Sequence, residues 1–264
     1  MELTGSFLTL PGRRLWVEQA GVGPAVAFVH AGVADRRMWD GQVAAQTDRY
    51  RLIRYDQPGY GASDPAIEPY SQTGELAAVL DHVGAHQAVL VGCSMGGRAV
   101  IDYALAHPDR VAALVPVAAI VSGQQMSVTG WRELAATIKA GDTDRIVETV
   151  LRIWAPLRTD PEVDARIRQL VVDNVAGIAG MGTMWRDKAA AYGRLHHIDS
   201  PTLVVVGDRD QQDHLDTARL LAREIPGARL EVLPNVDHNV PVRAGRAFTA
   251  VLSGFLESLD IRRT

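Results

Sequence analysis

The stretch Gly92-Cys93-Ser94-Met95-Gly96-Gly97 decides how this chain folds. It follows the apolar run 88–91, which predicts a buried strand, and its last glycine begins the predicted helix 97–106. A serine flanked by glycines at such a junction matches the G-x-S-x-G pattern, in which the backbone turns sharply from strand into helix. A Cβ at the flanking glycines would obstruct so tight a turn. The pattern therefore predicts that Ser94 projects its hydroxyl above the end of a sheet, where it can act as a nucleophile.

The composition of the 264-residue chain is that of an ordinary globular protein, with 47% hydrophobic and 22% charged residues. A formal net charge of −4 provides no basic field to hold nucleic acid, so we expect no nucleic-acid partner. The longest apolar stretch, 111–121, is broken by Pro116 and is far too short to span a bilayer, so we expect no membrane association. The expected partner is a small-molecule substrate, and the oligomeric state stays open.

The single cysteine, Cys93, cannot form a disulfide within the chain, which fits a reducing compartment. The first residues show no basic segment followed by an apolar one, so no secretory signal is recognised. Both observations predict a cytoplasmic protein. The eight histidines are scattered without a spacing typical of metal ligands, and we expect no metal site.

Strand and helix patterns alternate through most of the chain, which predicts an α/β fold with a mostly parallel, helix-covered sheet. Continuous apolar runs such as 203–206 are typical of strands that are buried on both faces. The predicted strands are 14–20, 25–29, 50–55, 88–92, 111–117, 202–207 and 229–233. The predicted helices in this alternating part are 35–47, 71–83, 97–106, 215–224 and 244–259.

The alternation stops between residues 122 and 195, where the patterns predict helices only. Asp142 begins one candidate helix that runs to Trp154, and Asp160 precedes another as N-cap, with a proline in the first turn. Three of the five tryptophans and three of the six methionines fall here, which indicates a helical cap with an apolar, adaptable inner face. Those side chains could instead only pack the cap onto the core. The candidate pocket residues are Val33, Trp131, Trp154, Met184 and Trp185, and the other two methionines of the segment are Met126 and Met181.

Four motifs together resemble those of the α/β-hydrolase family, in the family's order. They are His30-Ala31-Gly32, the loop Asp56-Gln57-Pro58-Gly59-Tyr60-Gly61-Ala62-Ser63, the serine motif at 92–97, and the pair Gly207-Asp208-Arg209-Asp210 with Asn235-Val236-Asp237-His238. The resemblance covers about residues 5–122 and 196–259. It implies an eight-stranded, mostly parallel sheet with a helical cap insertion. The implied boundaries are 1–121 and 196–264 for the core domain and 122–195 for the cap.

A serine hydroxyl needs a base to take its proton, and a neutral imidazole does this best near pH 7. His238 follows the predicted strand 229–233 by a short loop, so we expect it above the same sheet edge as Ser94. The base in turn needs a carboxylate to hold its tautomer. Asp210 is the matching position in the family, and the order Ser94, Asp210, His238 is the one expected for this fold.

Other side chains compete for these roles. Asp208 and Asp213 share the loop of Asp210 and stay open as alternatives for the acid, whereas the stretch 110–132 contains no Asp or Glu. We expect His214 to be a surface or rim residue, because it lies too close to Asp210 in sequence to face it across the site. Asp237 is expected to shape the loop before the base or to face solvent. Four arginines are expected to face solvent rather than a substrate carboxylate: Arg98, Arg132, Arg152 and Arg186.

The oxyanion of a tetrahedral intermediate needs two backbone N–H donors. The N–H of Met95, directly after the nucleophile, is one candidate. The resemblance implies that Gly32 supplies the second, but Ala31 stands where relatives more often have glycine, and this departure leaves Val33 as an alternative donor. His30 is expected to hold its loop rather than to act as a base.

These residues predict a serine hydrolase that cleaves a small carboxylic ester, thioester or lactone through an acyl-enzyme on Ser94. A hydrolase of C–C bonds or enol-lactones with the same three residues is the first alternative. A protein that binds a small ligand on this fold without catalysis is an alternative of another class. The resemblance implies no cofactor.

Overall fold

A computed structural model describes residues 3–183, 185–186 and 190–259. In these residues eight strands form one sheet: β1 (Thr4–Leu10), β2 (Arg13–Ala20), β3 (Ala25–Val29), β4 (Arg51–Tyr55), β5 (Ala88–Cys93), β6 (Val111–Val117), β7 (Leu203–Gly207) and β8 (Arg229–Leu233). Their spatial order is β1-β2-β4-β3-β5-β6-β7-β8. β2 pairs antiparallel with both β1 and β4, and every pairing from β4 to β8 is parallel. The predicted mostly parallel sheet is confirmed.

Parallel strands bring their carboxyl ends to one edge of the sheet, and loops at that edge form the usual binding sites of such folds. The four sequence motifs that carry polar side chains lie at the carboxyl ends of five of these strands, namely β3, β4, β5, β7 and β8. The loops after these strands are therefore gathered at one edge, although they are far apart in sequence.

The described part of the chain contains ten α-helices: α1 (Asp40–Gln46), α2 (Gln72–His82), α3 (Met95–Ala106), α4 (Trp131–Ala140), α5 (Thr143–Trp154), α6 (Pro161–Asp173), α7 (Val175–Gly180), α8 (Gln212–Glu224), α9 (Val240–Arg243) and α10 (Gly245–Ser258). Side-chain caps fix the start of several of them. Ser71 accepts from the N–H of Gly74 at α2, and Asp142 accepts from the N–H of Arg145 at α5. Asp160 caps α6 in the same way, as its sequence predicts.

Successive residues of a strand face opposite sides of the sheet. In β3, Val26 and Phe28 belong to an apolar cluster that includes α1, α10 and the helices α4 to α7. Ala27 and Val29 belong to a second cluster that includes α2, α3 and α8. Both faces of the sheet are thus covered, which explains why its central strands are apolar throughout.

The helices between β6 and β7 are α4 to α7, and together they form the helical cap. Their apolar side chains, among them Leu134, Val150 and Ile178, join the first of the two core clusters. No helix within the described residues has both the length and the apolar character required to cross a bilayer.

The structure departs from the predicted elements at five main places, one of which is the short helix α9, which was not predicted. β1 was not predicted; it is an edge strand with mostly exposed residues, so its pattern carries little hydrophobic signal. The region 35–47 begins with a 3-10 turn at Arg36–Trp39 before α1. The cap contains two helices, α4 and α7, that were not predicted as individual helices from the sequence. The helix α8 begins at Gln212, three residues earlier than predicted, and this shift changes the direction of His214.

Candidate active site

The turn from β5 into α3 places Ser94 at the end of the sheet. Ser94 has φ 53° and ψ −110°, a backbone conformation that L-residues rarely adopt. The glycines on either side are required by close backbone contacts. A Cβ on Gly92 would lie 2.2 Å from the carbonyl oxygen of Gly96, and a Cβ on Gly96 would lie 2.1 Å from that of Val29. The strained serine is therefore held by backbone packing that only glycine permits.

His238 and Asp210 come from the loops after β8 and β7 and meet in a buried pair. The distance between His238 Nδ1 and Asp210 Oδ2 is 2.8 Å, and His238 is 2% exposed. An imidazole that donates from Nδ1 keeps its lone pair on Nε2. The two loops cross closely, since a Cβ on Gly207 would lie 2.1 Å from the carbonyl oxygen of Val236.

The charge of Asp210 is stabilised although the side chain is buried. Burial by itself raises the pKa of this carboxyl, but His238, His214 and the N–H of Gln211 outweigh it, so the pKa lies below its ordinary value. Asp210 Oδ1 accepts the Gln211 N–H at 2.7 Å. The carboxylate is thus ionised at neutral pH and able to hold the ring of His238.

The two alternative aspartates, Asp208 of this loop and Asp213 in the first turn of α8, have other partners. Asp208 accepts from the N–H of Val236 at 3.3 Å, and Asp213 accepts from the N–H of Ser127. Among the described residues, it is Asp210 that bonds to His238.

Ser94 and His238 line the same cavity, which measures about 850 Å³ and lies between the sheet edge and the cap. Four of the five predicted pocket residues also line it: Val33, Trp131, Trp154 and Trp185. The fifth, Met184, lies outside the described residues. Sequence reasoning left out of the pocket several side chains that the cap and the loop after β6 contribute, including Ile120, Met126, Val128 and Met181. The wall is predominantly apolar.

Both candidate oxyanion donors of the loop after β3, Gly32 and Val33, line this cavity together with Met95. Hydrogen bonds fix the peptides around them. The Ala31 carbonyl accepts from the N–H of Ala34 at 3.2 Å, and Tyr60 Oη donates to the Gly32 carbonyl at 3.0 Å. Because C=O and N–H point in opposite directions in a trans peptide, these bonds also orient the N–H groups of Gly32 and Val33. The geometry keeps both residues as candidate donors.

His30 is occupied in holding this loop. Its Nδ1 lies 2.8 Å from the Ala31 carbonyl, and its Nε2 accepts the N–H of Gln57 at 2.9 Å. These bonds define the neutral tautomer with hydrogen on Nδ1. Burial lowers the pKa of His30, although Asp56 and Asp35 oppose that effect. Neither ring nitrogen is therefore free to act as a base.

The expectation that His214 is a surface or rim residue is wrong. Its side chain is 2% exposed, its ring centroid lies 4.3 Å from that of His238, and it lines the cavity. The cause is the early start of α8, which places His214 in the first turn and directs it inward. Closeness to Asp210 in sequence did not prevent contact, because the turn between them folds both side chains toward His238.

Of two further expectations, the one for Arg98 needs correction, and the one for Asp237 is confirmed in the first of its two alternatives. Arg98, expected to face solvent, is buried on α3, where it donates to Gln72 Oε1 at 3.1 Å and lies 4.5 Å from the ring centre of Trp185. Asp237 does shape the loop before the base, but it is fully buried and does not face solvent. It accepts from the N–H of Asn239 at 3.2 Å and pairs with Arg243.

The remaining arginines are exposed, as expected. Arg152 pairs with Glu133 at 2.5 Å. Arg132 and Glu133 both line the cavity, so charges of opposite sign stand together at its wall.

Comparisons with known proteins agree with this architecture. The model of a family described as having the alpha/beta hydrolase fold matches residues 24–242. A putative 2-succinyl-6-hydroxy-2,4-cyclohexadiene-1-carboxylate synthase of Bacillus subtilis is 28% identical over 260 residues, which cover 92% of this chain and 93% of that protein. The crystal structure of a hydrolase from Pseudomonas aeruginosa superposes with a TM-score of 0.83 at 31% identity, over 96% of this chain and 98% of that one. The enol-lactonase of Burkholderia xenovorans superposes with a TM-score of 0.84 at 26% identity, over 96% and 100%.

Proposed function

The chain belongs to the α/β-hydrolase family, and on that basis we propose that it is a serine hydrolase that cleaves small apolar carboxylic esters, thioesters or lactones. That it is a hydrolase enzyme follows from the family and from relatives that are themselves named as enzymes. The alternative of a binding protein without catalysis is therefore set aside. The substrate class and the roles of individual residues form the proposal.

One observation carries the proposal. The buried bond of 2.8 Å between His238 Nδ1 and Asp210 Oδ2 leaves Nε2 as the basic atom of a ring that lines the cavity reached by Ser94. In the proposed reaction His238 takes the proton of the Ser94 hydroxyl as its oxygen attacks the carbonyl carbon. Asp210 stabilises the imidazolium that forms.

The attack places negative charge on the former carbonyl oxygen. We assign its stabilisation to the N–H of Met95 at the start of α3 and to a second N–H from Gly32 or Val33. The proton on His238 then passes to the leaving group, and the acyl group stays on Ser94. Water that gives its proton to His238 attacks the acyl carbonyl, releases the acid and restores the serine.

The cavity wall supports an apolar acyl group. Three tryptophans and three methionines line it, and methionine adapts to substrates of different shape. Arg132 and Glu133 carry opposite charges at this wall, so the described lining residues present no net charge that would select a charged substrate. A volume of about 850 Å³ suits a small to medium substrate.

A second candidate is the hydrolysis of an enol-lactone. It is favoured by the similarity to the Burkholderia xenovorans enol-lactonase across 96% of this chain. An enol-lactone is an internal ester, so the same three residues would act in the same order. C–C bond cleavage remains a further alternative for this constellation.

A substrate panel on wild type and Ser94→Ala tests the proposal. p-Nitrophenyl esters of increasing acyl length, simple lactones, an enol-lactone and a vinylogous diketone are compared. We expect turnover of short apolar esters or lactones, with a burst of p-nitrophenol stoichiometric with enzyme whenever deacylation is slow. Ser94→Ala should abolish both the burst and turnover.

Ser127→Ala is the matched control, since Ser127 also lines the cavity; it should retain the burst. Turnover of esters by Ser94→Ala at the rate of wild type would refute the assignment of the nucleophile. If the diketone is the only substrate cleaved, the proposed reaction is hydrolysis of a C–C bond rather than of an ester.

A further inference from the structure

Beside the proposed acid and base lies a third titratable side chain that the reaction does not use. His214 stacks on His238, with ring centroids 4.3 Å apart and an angle of 44° between the rings. One potential ligand atom from each of Asp210, His214 and His238 can be chosen so that the three lie within 4.8 Å of one another. Two imidazoles that line the cavity and the carboxylate of Asp210 thus lie close together.

The ring of His214 has no well-formed hydrogen bond. Both of its nitrogens are buried and, within the residues that the structure describes, neither makes a hydrogen bond of ordinary geometry, although the backbone of Ala119 interacts with the ring. A buried polar group is normally hydrogen-bonded, and each exception calls for an explanation such as an ion or a ligand.

We propose that Asp210, His214 and His238 form a binding site for Zn²⁺ and for divalent transition metals of similar ligand preference. The binding itself does not depend on the proposed function. Its consequence does: the nitrogen of His238 that lies beside Asp210 is Nδ1, so an ion shared by these two residues binds Nδ1 and leaves the ring hydrogen on Nε2. No lone pair then remains to take the proton of Ser94, so the hydrolase is reversibly inhibited.

The chemistry of the three ligands fits this ion. Zn²⁺ prefers imidazole nitrogen and carboxylate oxygen at about 2.0–2.2 Å, in tetrahedral geometry. Ligand atoms around such an ion lie about 3.3 Å apart. The widest separation among the three atoms, at most 4.8 Å, would therefore have to close by up to about 1.5 Å, and the 2.8 Å between Asp210 and His238 would have to widen slightly. The cavity supplies an open path for the ion and space for water as the fourth ligand. No electron transfer is involved, and any proton displaced from a ring nitrogen passes to solvent.

The ligand set also predicts selectivity. Cu²⁺ and Ni²⁺ bind imidazole well, whereas Mg²⁺ and Ca²⁺ prefer sites made of oxygen ligands only. Zn²⁺, Ni²⁺ and Cu²⁺ should therefore bind and inhibit, and Mg²⁺ and Ca²⁺ at the same concentration should do neither.

The test measures binding and inhibition separately. Zn²⁺ binding is followed by titration calorimetry on wild type, Ser94→Ala and His214→Gln, and inhibition is measured on an activated ester, with each variant compared to its own rate in a chelator. The double variant His196→Gln/His197→Gln is the matched control. Those two histidines also stack, with centroids 4.0 Å apart, but they are exposed and remote from the cavity.

We expect one Zn²⁺ per chain for wild type, for Ser94→Ala and for the control, and affinity weaker by roughly tenfold or more in His214→Gln. Inhibition of wild type should be reversed by chelator and should weaken in parallel in His214→Gln. The proposal is overturned if wild type does not bind Zn²⁺, or if His214→Gln binds it as tightly as wild type. If no ester is hydrolysed but the binding pattern holds, the proposed function fails while the metal site stands.

If His214→Gln does not fold, the metal site can still be tested on wild type, because Zn²⁺ and a reagent that modifies histidine would compete for His238. Covalent modification of His238 by diethyl pyrocarbonate, located by peptide mapping, should be slowed by Zn²⁺. Unchanged modification of His238 in the presence of saturating Zn²⁺ would contradict the site.

Discussion

The side-chain amide of Asn239 donates a 2.8 Å hydrogen bond to the carbonyl oxygen of Trp154. This bond joins the loop that carries His238 to the last residue of α5 in the cap. A second connection runs parallel to it, since Arg243 pairs with both Asp237 and Asp164 of α6. The position of the proposed base therefore depends on the cap as well as on the sheet.

The first prediction concerns this connection. Asn239→Ala leaves the Trp154 carbonyl buried without its partner, which should lower the free energy of unfolding by about 1–3 kcal/mol. Because the loop of His238 loosens, kcat should fall by about tenfold with a smaller change in KM. Thermal unfolding and steady-state kinetics measure both effects.

Gln87→Ala is the control for Asn239→Ala. Gln87 also donates an amide hydrogen to a backbone carbonyl, that of Asp109, but at an exposed position. Gln87→Ala should change neither the free energy of unfolding nor kcat appreciably. An Asn239→Ala enzyme with the stability and kcat of wild type would show that the loop holds its position without the cap.

The second prediction concerns the turn at Ser94. In Gly96→Ala the new Cβ would lie 2.1 Å from the Val29 carbonyl oxygen, so one of two backbones must move. We expect a loss of more than about 3 kcal/mol of stability or no folded protein, measured by chemical denaturation. In Gly254→Ala nothing lies within 4 Å of the new Cβ, and this helical site should gain up to about 1 kcal/mol. Equal stability of the two variants would refute the steric account.

The third prediction concerns the oxyanion donors. Tyr60→Phe removes the 3.0 Å bond to the Gly32 carbonyl and with it a restraint on the N–H of Val33, which belongs to the same peptide. We expect kcat to fall roughly tenfold while KM changes little, because the donors act in the transition state. Tyr103→Phe is the control, since the buried Tyr103 hydroxyl has no hydrogen-bond partner among the described residues. A change confined to KM would contradict this role for Tyr60.

The fourth prediction concerns pH and stability. Burial holds the pKa of His30 below its ordinary value of 6.5 in the folded protein. As pH falls below about 6.5 the unfolded chain binds a proton that the folded protein does not, so the free energy of unfolding decreases. Asp56 and Asp35 face the ring and reduce this effect without reversing it.

His30→Gln should therefore flatten the decrease of stability between pH 6.5 and the acid limb, as measured by urea unfolding at a series of pH values. Val43→Ala serves as control, because it removes buried apolar volume and no titratable group. Curves for His30→Gln and wild type that run parallel over this range would contradict the account.

Much of the site could be predicted because parallel strands impose a common edge. Ser94, Asp210 and His238 each follow a predicted strand within a few residues. The parallel topology then brings the loops that carry them to one edge of the sheet. Helix starts with a capping side chain, such as Ser71 and Asp142, were also predictable, since one side-chain oxygen satisfies a free N–H group.

The rest depends on packing that local patterns do not encode. The direction of His214 follows from where α8 begins, and no capping side chain marks that start at Gln211. The exposed strand β1 has no buried face to produce a strong alternation. Arg98 is buried because Trp185 of the cap segment covers it, which is a contact between residues 87 positions apart.

The most direct test of the central claim is covalent labelling with a fluorophosphonate, followed by peptide mass spectrometry. The account predicts one label per chain, on Ser94, with labelling slowed by roughly a thousandfold or more in His238→Ala and absent in Ser94→Ala. Wild-type protein that is folded and active on esters but carries no label on Ser94, or that is labelled equally fast without His238, would contradict it.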